Sequence, residues 1–583
     1  MYLFIGYIIE IIRGDAMPPS ENDKPQHSSR FRIRRFLNWF PLGLTYAFLY
    51  MARYNLTVSK NALGELMSKA DFGVIFGAGT LTYAFAFLLN GPLTDRIGGK
   101  RAILLSAAGA AAMNLLMGLL TFYLLTANAR FNLVLWFSLL YSLNMYFQSF
   151  GAVAIVKVNA SWFHIRERGV FGGIFGILIS LGLYFAFDWG QMIVDATVVN
   201  PQNLNFVQRL LRSLLAMDNA ALDQTWWVFF VPAVLLGVFF LLDLFVLRDR
   251  PSQAGFADFN TGDAGSDEAE QPLKTGQIIK RVLTSKILLT IAFIELCSGV
   301  LRNGIMHWYL IFAADMGYGL GFFITKNWGL LLMLAGVFGG MFAGWVSDKV
   351  FGSRRGPVAA LLYALMLIST LVMWPFVHST SNAVKQGMTL TLQPEQIKRF
   401  QTHQVDRGMI EKTLRDQGYG ISVSAQENDW RLTHSNGKKM AAAQIGNLVV
   451  AEYQRFNPYQ NKQENIQIQI RNLGRLHGAD TDTRALALGL IVVLMSLCVI
   501  GVHGMLSGTS TMDFGGRRAA ATAVGLIDGF VYLGTGIQSM SLGFLTSQNW
   551  SYWPPFLVPF AVLGLALSIK IWHAFPDSKR SGH

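Results

Sequence analysis

Two arginines fall inside apolar stretches long enough to cross a bilayer, at equivalent places in the two halves of the chain. Arg53 lies in 36–56 and Arg302 in 286–312. A guanidinium keeps its charge at any relevant pH. At membrane depth that charge costs roughly 3 kcal/mol on insertion scales and about 10 or more in simulations of isolated helices. Such a cost is tolerated where the side chain faces a wet cavity or an anionic partner. One arginine per half therefore points to an anion-binding site at the centre of a carrier, where two planar forks offer bidentate, charge-assisted bonds to phosphate oxygens. The alternative for each is snorkelling to the interface, to which Arg53, in the outer third of its span, is the more prone.

Other residues could complete such a site. Tyr46, Tyr50 and Arg53 are spaced i, i+4, i+7 and share one helix face, from which hydroxyls can donate to an ester's oxygens. Asn144 and Gln148, one turn apart, supply either polar contacts to a substrate or glue between helices. Glu295 lies two turns before Arg302 on the same face, about 10 Å away by helix rise. That is too far for a direct pair, so the carboxylate either loads a proton or neutralises a cation on a neighbouring helix. Asp528 has the same two readings, coupling or structure. His307 either titrates near neutral pH or stays neutral and hydrogen-bonded. The two cysteines, Cys297 and Cys498, both fall within spans and offer no zinc spacing or disulfide framework. No metal, cofactor or ATP motif is read, and nothing supports an enzyme.

The elements that position these residues follow from composition. The chain has 583 residues, of which 52% are hydrophobic and 14% charged, with positive mean hydropathy. That is a polytopic membrane protein. Apolar runs predict twelve spans near 36–56, 72–90, 102–126, 131–155, 170–190, 226–247, 286–312, 327–345, 357–377, 485–508, 519–544 and 553–575. Basic residues crowd the even-numbered connections (Arg96, Lys100, Arg101; Arg166, Arg168; Arg248, Arg250; Arg354, Arg355; Arg517, Arg518), which predicts that both termini are cytoplasmic. The formal charge of +13 is explained by that asymmetry, so no nucleic-acid partner is needed. The opening residues 1–16 are too short to span and read as a surface helix or as sequence upstream of a start at Met17. No cleavable signal peptide is read.

An internal repeat divides the chain. Gly91-Pro92-Leu93-Thr94-Asp95-Arg96 follows the second span, and Gly344-Trp345-Val346-Ser347-Asp348-Lys349 follows the eighth. Two such matches in register, with the arginines repeating as well, predict two pseudo-symmetric six-helix bundles with a site near midplane. Gly91, Asp95, Arg96, Gly344, Asp348 and Lys349 would form a cytoplasmic latch, the carboxylates capping helices or pairing with arginine in one state, the glycines permitting close helix approach. Asp95 and Asp348 otherwise read as loop solvation. The domain plan is a cytoplasmic arm (1–35), an N-terminal bundle (36–247), a flexible cytoplasmic linker (248–285), helices seven to nine (286–378), an extracytoplasmic insertion (379–484), helices ten to twelve (485–575) and a cytoplasmic tail (576–583). The insertion reads as a small α/β domain, with helices at 393–401 and 406–417, a hairpin at 421–433 and an amphipathic helix at 438–456. It is either passive, a lid, or a docking surface for a protein partner.

The segment G-x-L-T-D-R-x-G-G-K-R at 91–101 resembles the loop signature of the major facilitator superfamily. Tyr46…Tyr50-Met51-Ala52-Arg53-Tyr54-Asn55 is similar to the first helix of the organophosphate:phosphate antiporters, which include glycerol-3-phosphate and hexose-phosphate transporters. Val300–Trp308 is similar to that family's seventh helix, and 344–357 to its loop between helices eight and nine. Trp162-Phe163, Arg166–Gly169 and Tyr532-Leu533-Gly534 add matches. The resemblance implies that Tyr46, Tyr50 and Tyr83 help line the pocket and that Arg53 and Arg302 hold the substrate. It has departures. The family's helix-two lysine falls on Phe87, its helix-five histidine on Ile179, its helix-eight glutamate on Met333, and the aspartate before the helix-seven tryptophan on His307. The expectation is a monomeric inner-membrane carrier that moves a sugar or glycerol phosphate ester by alternating access, with inorganic phosphate or a proton as the coupled species. The rivals are a membrane sensor of external hexose phosphate, and a carrier of carboxylated metabolites such as sugar acids.

Overall fold

The computed structural model describes residues 27–127, 131–164, 168–259, 284–316, 322–381, 481–506 and 520–574 with isolated gaps, together with the stretches of 388–477 named below. The first half comprises α1 (Ser29–Leu63), α2 (Lys69–Ile97), α3 (Gly99–Thr126), α4 (Leu133–Ala160), α5 (Arg168–Tyr184), which runs through a π turn into α6 (Gly190–Thr197), a short α7 (Phe206–Leu214), and α8 (Trp227–Val246). The second half comprises α9 (Lys286–Met306), α10 (Trp308–Asp315), α11 (Trp328–Lys349), α12 (Arg355–Ser381), α14 (Thr481–His503), α15 (Ala520–Gln548) and α16 (Trp553–Lys570). Helix α13 is Arg407–Asp416, between the ninth and tenth predicted spans. Ten helices among the described residues are long and apolar enough to cross a membrane.

Several boundaries differ from the sequence expectation. Helix α1 is 35 residues long, because the polar residues flanking the apolar run continue the helix from a Ser28 cap that accepts from the Phe31 N–H. The predicted seventh span is broken at His307 between α9 and α10. The repeated G-x-x-x-D-[RK] segments are the last turns of α2 and α11 rather than loops. Gly98, at φ 89°, then ends α2 in a conformation that only glycine adopts easily. Part of the predicted flexible linker is packed: Phe256 and Phe259 set their rings against Phe31, at 5.5 and 5.8 Å. Residues 1–26 and 262–283 lie outside the described residues.

Between α12 and α14 the backbone forms strands β1 (Met388–Leu392), β2 (Tyr419–Val423), β3 (Asp429–His434), β4 (Leu448–Asn457), β5 (Lys462–Ile470) and β6 (Gly474–His477). They make a four-stranded sheet, ordered β2-β3-β1-β6, and a separate β4–β5 ladder. The predicted hairpin at 421–433 corresponds to β2 and β3, antiparallel with Ile421 opposite Leu432. The predicted amphipathic helix at 438–456 is wrong over its second part, where β4 pairs antiparallel with β5. The reason is the partner: β5 carries Ile466, Ile468 and Ile470 at period two, and these stand opposite Tyr453, Ala451 and Leu448. The predicted helix at 393–401 lies outside the described residues.

The two halves meet along two helix pairs. Helix α2 runs against α15, so close that a Cβ on Gly73 would collide with the backbone of Gly543 and one on Gly77 with Met540. Helices α5 and α11 meet at Gly329, beside Asp188, and at Gly336, beside Ser180. Small residues let backbones approach in this way where lipid supplies no hydrophobic drive between helices. By contrast, nothing lies within 4 Å of where a Cβ on Gly91, Gly340, Gly344 or Gly525 would sit. The described contacts between the halves therefore gather towards the rim carrying Lys69, Asp315 and Trp550 and thin out towards the rim carrying Gly98 and Gly352.

Candidate anion site between the halves

Arg53 is fully buried on α1. Its Nε donates to Gln148 Oε1 at 2.9 Å, Nη1 to the Tyr532 hydroxyl at 2.9 Å and Nη2 to the Tyr83 hydroxyl at 3.0 Å. Its guanidinium carbon also lies 4.9 Å from the Tyr50 ring centre and 4.5 Å from that of Tyr83. Each charged hydrogen bond contributes roughly 1.5–3 kcal/mol, and a desolvated cation–π contact about 2. Together these are of the size needed to offset burial of the charge, so snorkelling is not how Arg53 is accommodated.

The cage around Arg53 is itself held by a polar chain. Gln148 Nε2 donates to Asn144 Oδ1 at 3.0 Å, and Asn144 Nδ2 to the carbonyl of Ala52 at 3.0 Å. Asn114 Nδ2 donates to the same carbonyl, and Asn55 Nδ2 to Asn114 Oδ1 at 2.8 Å. The Tyr141 hydroxyl donates to the Arg53 carbonyl at 3.1 Å. This chain fixes which end of each amide faces where: Gln148 turns its oxygen to the cation because its nitrogen is used by Asn144. Asn144 and Gln148 thus sit behind Arg53 and orient it.

Arg302 has different surroundings. It is half-buried on α9, and its Nε is shielded from solvent yet without a hydrogen-bond partner among the described residues. Tyr50 and Tyr54 lie within electrostatic reach of both Arg53 and Arg302. The rings of Tyr46, Tyr50 and Tyr54 follow one another edge to face at 5.5 Å steps along α1. Tyr83 and Tyr532 face each other at 4.3 Å across the contact between the halves. Because the hydroxyls of Tyr83 and Tyr532 accept from Arg53, their own O–H donors are free to turn towards a ligand. An anion placed there would meet donors already oriented by a buried cation.

The remaining predicted residues divide. His307 is buried at the break between α9 and α10, its Nδ1 2.7 Å from Thr57 Oγ1 and its ring against Phe76 and Tyr54 at 4.5 and 4.7 Å. It joins the two halves on the closed side of Arg53. Glu295 is fully buried, with Oε2 2.8 Å from His503 Nδ1 on α14. Asp528 is half-buried one turn before Tyr532 on α15. Gly91 and Arg96 end α2, Gly344 and Lys349 end α11, and Arg96 and Lys349 are exposed. The side chains of Asp95 and Asp348 lie outside the described residues.

Towards the closed rim the halves are tied by polar bonds. Lys69 Nζ lies 2.7 Å from Asp315 Oδ2, and Trp550 Nε1 donates to the same oxygen at 2.9 Å. Asn61 Nδ2 donates to the Leu310 carbonyl at 3.3 Å. Asp188 accepts the backbone N–H groups of Gly329 and Leu330 at 2.6 and 3.0 Å, so that a carboxylate from the first half caps α11 of the second. Sequence reasoning did not single out Tyr54, Tyr532 or Tyr141 as site residues, nor Asp188 or His503. For the last two a signal existed: an ionisable residue inside a predicted span.

Comparison with known proteins identifies the family. Residues 42–390 match the profile of the Major Facilitator Superfamily. The membrane sensor protein UhpC of Salmonella typhimurium is 25% identical over 63% of this chain and 76% of its own. The glycerol-3-phosphate transporter of Bacillus subtilis is 25% identical over 59% and 71%, and a probable hexose phosphate transport protein of Chlamydia trachomatis 24% over 59% and 70%. Among solved structures, a bacterial homolog of the human lysosomal transporter Spinster, inward-facing and unoccupied, aligns with 94% of this chain and 98% of its own at a TM-score of 0.57 and 13% identity. With the profile spanning more than half of its length, the chain belongs to the Major Facilitator Superfamily.

Proposed function

We propose that this protein is a secondary transporter that moves an organic phosphate ester, a sugar or glycerol phosphate, across the inner membrane by alternating access. Inorganic phosphate is the exchanged ion in this reading. The observation that carries it is the pair Arg53 and Arg302, one from each half, with Tyr50 and Tyr54 in reach of both. A dianion bound between them attracts both halves at once, so the occluded form binds it best and the barrier between facing states falls. Empty, the two cations repel, which slows unloaded closure and favours exchange over net transport, while still permitting the latter. The relatives named for glycerol-3-phosphate and hexose phosphate transport support the substrate class.

In this reading twelve helices cross the membrane as two six-helix bundles, both termini are cytoplasmic, and 379–484 is an extracytoplasmic domain. The closed rim then faces outward and the parted rim faces the cytoplasm. A second reading is favoured by UhpC, a relative named as a membrane sensor: the protein would bind hexose phosphate and signal, with 379–484 as a docking surface. Reconstitution into phosphate-loaded vesicles with labelled phosphate esters and sugar acids separates the two. A transporter sustains exchange; a sensor binds without it. Arg53→Ala and Arg302→Ala should each abolish uptake, and normal transport by either variant removes that residue from the site.

A further inference from the structure

Glu295 and His503 form a buried acid–imidazole pair that neither the anion site nor the closed rim uses. The Glu295 carboxylate is fully buried on α9; Oε2 meets His503 Nδ1 at 2.8 Å, while Oε1 has no partner among the described residues. The His503 side chain keeps 24% of its surface exposed at the last residue of α14. One member of the pair is thus partly exposed and the other is sealed. Two turns along the same face of α9 stands Arg302, whose field Glu295 shares, and whose Nε also lacks a partner.

We propose that this pair is a proton-binding site coupled to the anion site, making the anion and a proton travel together. An ionised carboxylate only accepts hydrogen bonds, so His503 Nδ1 carries the hydrogen when Glu295 is charged. A proton from solvent adds to His503 Nε2, and the Nδ1 proton passes to Glu295 Oε2. The imidazole is left neutral in its other tautomer, and the glutamic acid is neutral; one proton has been gained and nothing else has changed. Loss of that negative charge about 10 Å from Arg302 strengthens anion binding there, roughly tenfold at an effective dielectric near 20. By linkage the anion tightens proton binding by the same factor. The sign makes the two ligands helpers rather than competitors, which is the requirement for symport.

Other titratable groups stand on α9 and on the helices around it. Cys297 shares its helix and its field. On α12, Tyr363 donates its hydroxyl to the Ile294 carbonyl at 2.6 Å and lies in the same field. On α15 the titratable residues are Asp528 and Tyr532, the latter bonded to Arg53. On α16 it is Lys570, at the far end, and on α11 Asp348 and Lys349, at its last turn.

The proposal rests on Arg302 binding the anion, and the test separates the two. Full-length protein is reconstituted into vesicles whose lumen is about one pH unit more alkaline than the outside, with the membrane potential clamped, and labelled inorganic phosphate is supplied. Wild type should accumulate phosphate about tenfold above the accumulation seen with Glu295→Gln under the same gradient, since one coupled proton is worth tenfold per pH unit. Using one gradient for both cancels its effect on phosphate ionisation. Glu295→Gln should keep phosphate-for-phosphate exchange, as a mere structural staple between α9 and α14 would not allow selective loss of the gradient response. If Glu295→Gln cannot be reconstituted, His503→Gln carries the test with the same expected loss. Wild-type exchange with no gradient-driven excess, or unchanged accumulation by the variants, overturns the dyad. Absence of any phosphate movement in wild type overturns the anion site itself, and the dyad with it.

Discussion

Arg53 and Arg302 occupy matching places in the repeat, yet every guanidinium nitrogen of the first is hydrogen-bonded and the Nε of the second is not, among the described residues. Arg53 spends its donors on Gln148, Tyr83 and Tyr532, all neutral, and lies among aromatic rings. Arg302 keeps a buried N–H with no partner among the described residues. Symmetry of sequence therefore does not mean symmetry of role. Arg53 is a fixed cation that orients tyrosine hydroxyls and spans the contact between halves through Tyr532. Arg302 has a buried Nε–H that the proposed anion site would use.

Replacing each arginine by lysine sharpens that contrast most. A lysine is a point charge with three rotatable donors and cannot reproduce a planar fork. Arg53→Lys leaves two of the three acceptors, Gln148, Tyr83 and Tyr532, unmet inside the cage, so phosphate-ester uptake should fall by about a hundredfold, the equivalent of two lost charged bonds at roughly 1.5 kcal/mol each. Arg302→Lys retains the charge at a place with fewer bonds to lose, and uptake should fall only about tenfold. Equal losses in the vesicle assay would mean that the difference in surroundings has no consequence for transport.

A second contrast lies between the closed rim and the parted one, and it predicts smaller effects. Asp188→Ala removes both acceptors that cap α11 at Gly329 and Leu330. A carboxylate in a partly buried position at a helix N-terminus is worth up to about 2 kcal/mol. Alkylation of a cysteine placed at Ala62, beside the closed rim, should then speed up roughly tenfold as that rim opens more often. The Lys69–Asp315 pair is 20% and 25% exposed, and pairs of that kind contribute roughly 1 kcal/mol or less. Lys69→Met should raise the same alkylation rate by no more than about fivefold. The reverse order of these two variants would relocate the main latch to the salt bridge.

How much of this was legible beforehand depends on the residue. Arg53 and Arg302 announced themselves because charge in an apolar run is costly wherever the chain folds. The repeat at 91–96 and 344–349 gave the division into halves. The partners of Arg53 do not follow from spacing: Tyr83 comes from the resemblance alone and Tyr532 is missed as a site residue, since contacts between α1, α2 and α15 are a matter of tertiary packing. The break at His307 was invisible because Met306, Trp308 and their neighbours are uniformly apolar. The strand at 448–457 is not legible from its own sequence, whose pattern is ambiguous between helix and strand, while the period-two isoleucines that pair with it lie further along, at 466–470. The sequence leaves Glu295 as either a proton acceptor or a neutraliser of a cation on another helix, and the structure adds its contact with His503.

The most direct measurement is calorimetric titration of the purified full-length protein with glucose 6-phosphate, in wild type and in Arg302→Ala, at low and high salt. Wild type should bind with an affinity that weakens as salt rises, and the Arg302→Ala variant should show no measurable heat. Undiminished binding by Arg302→Ala would mean that the anion does not dock between the two arginines.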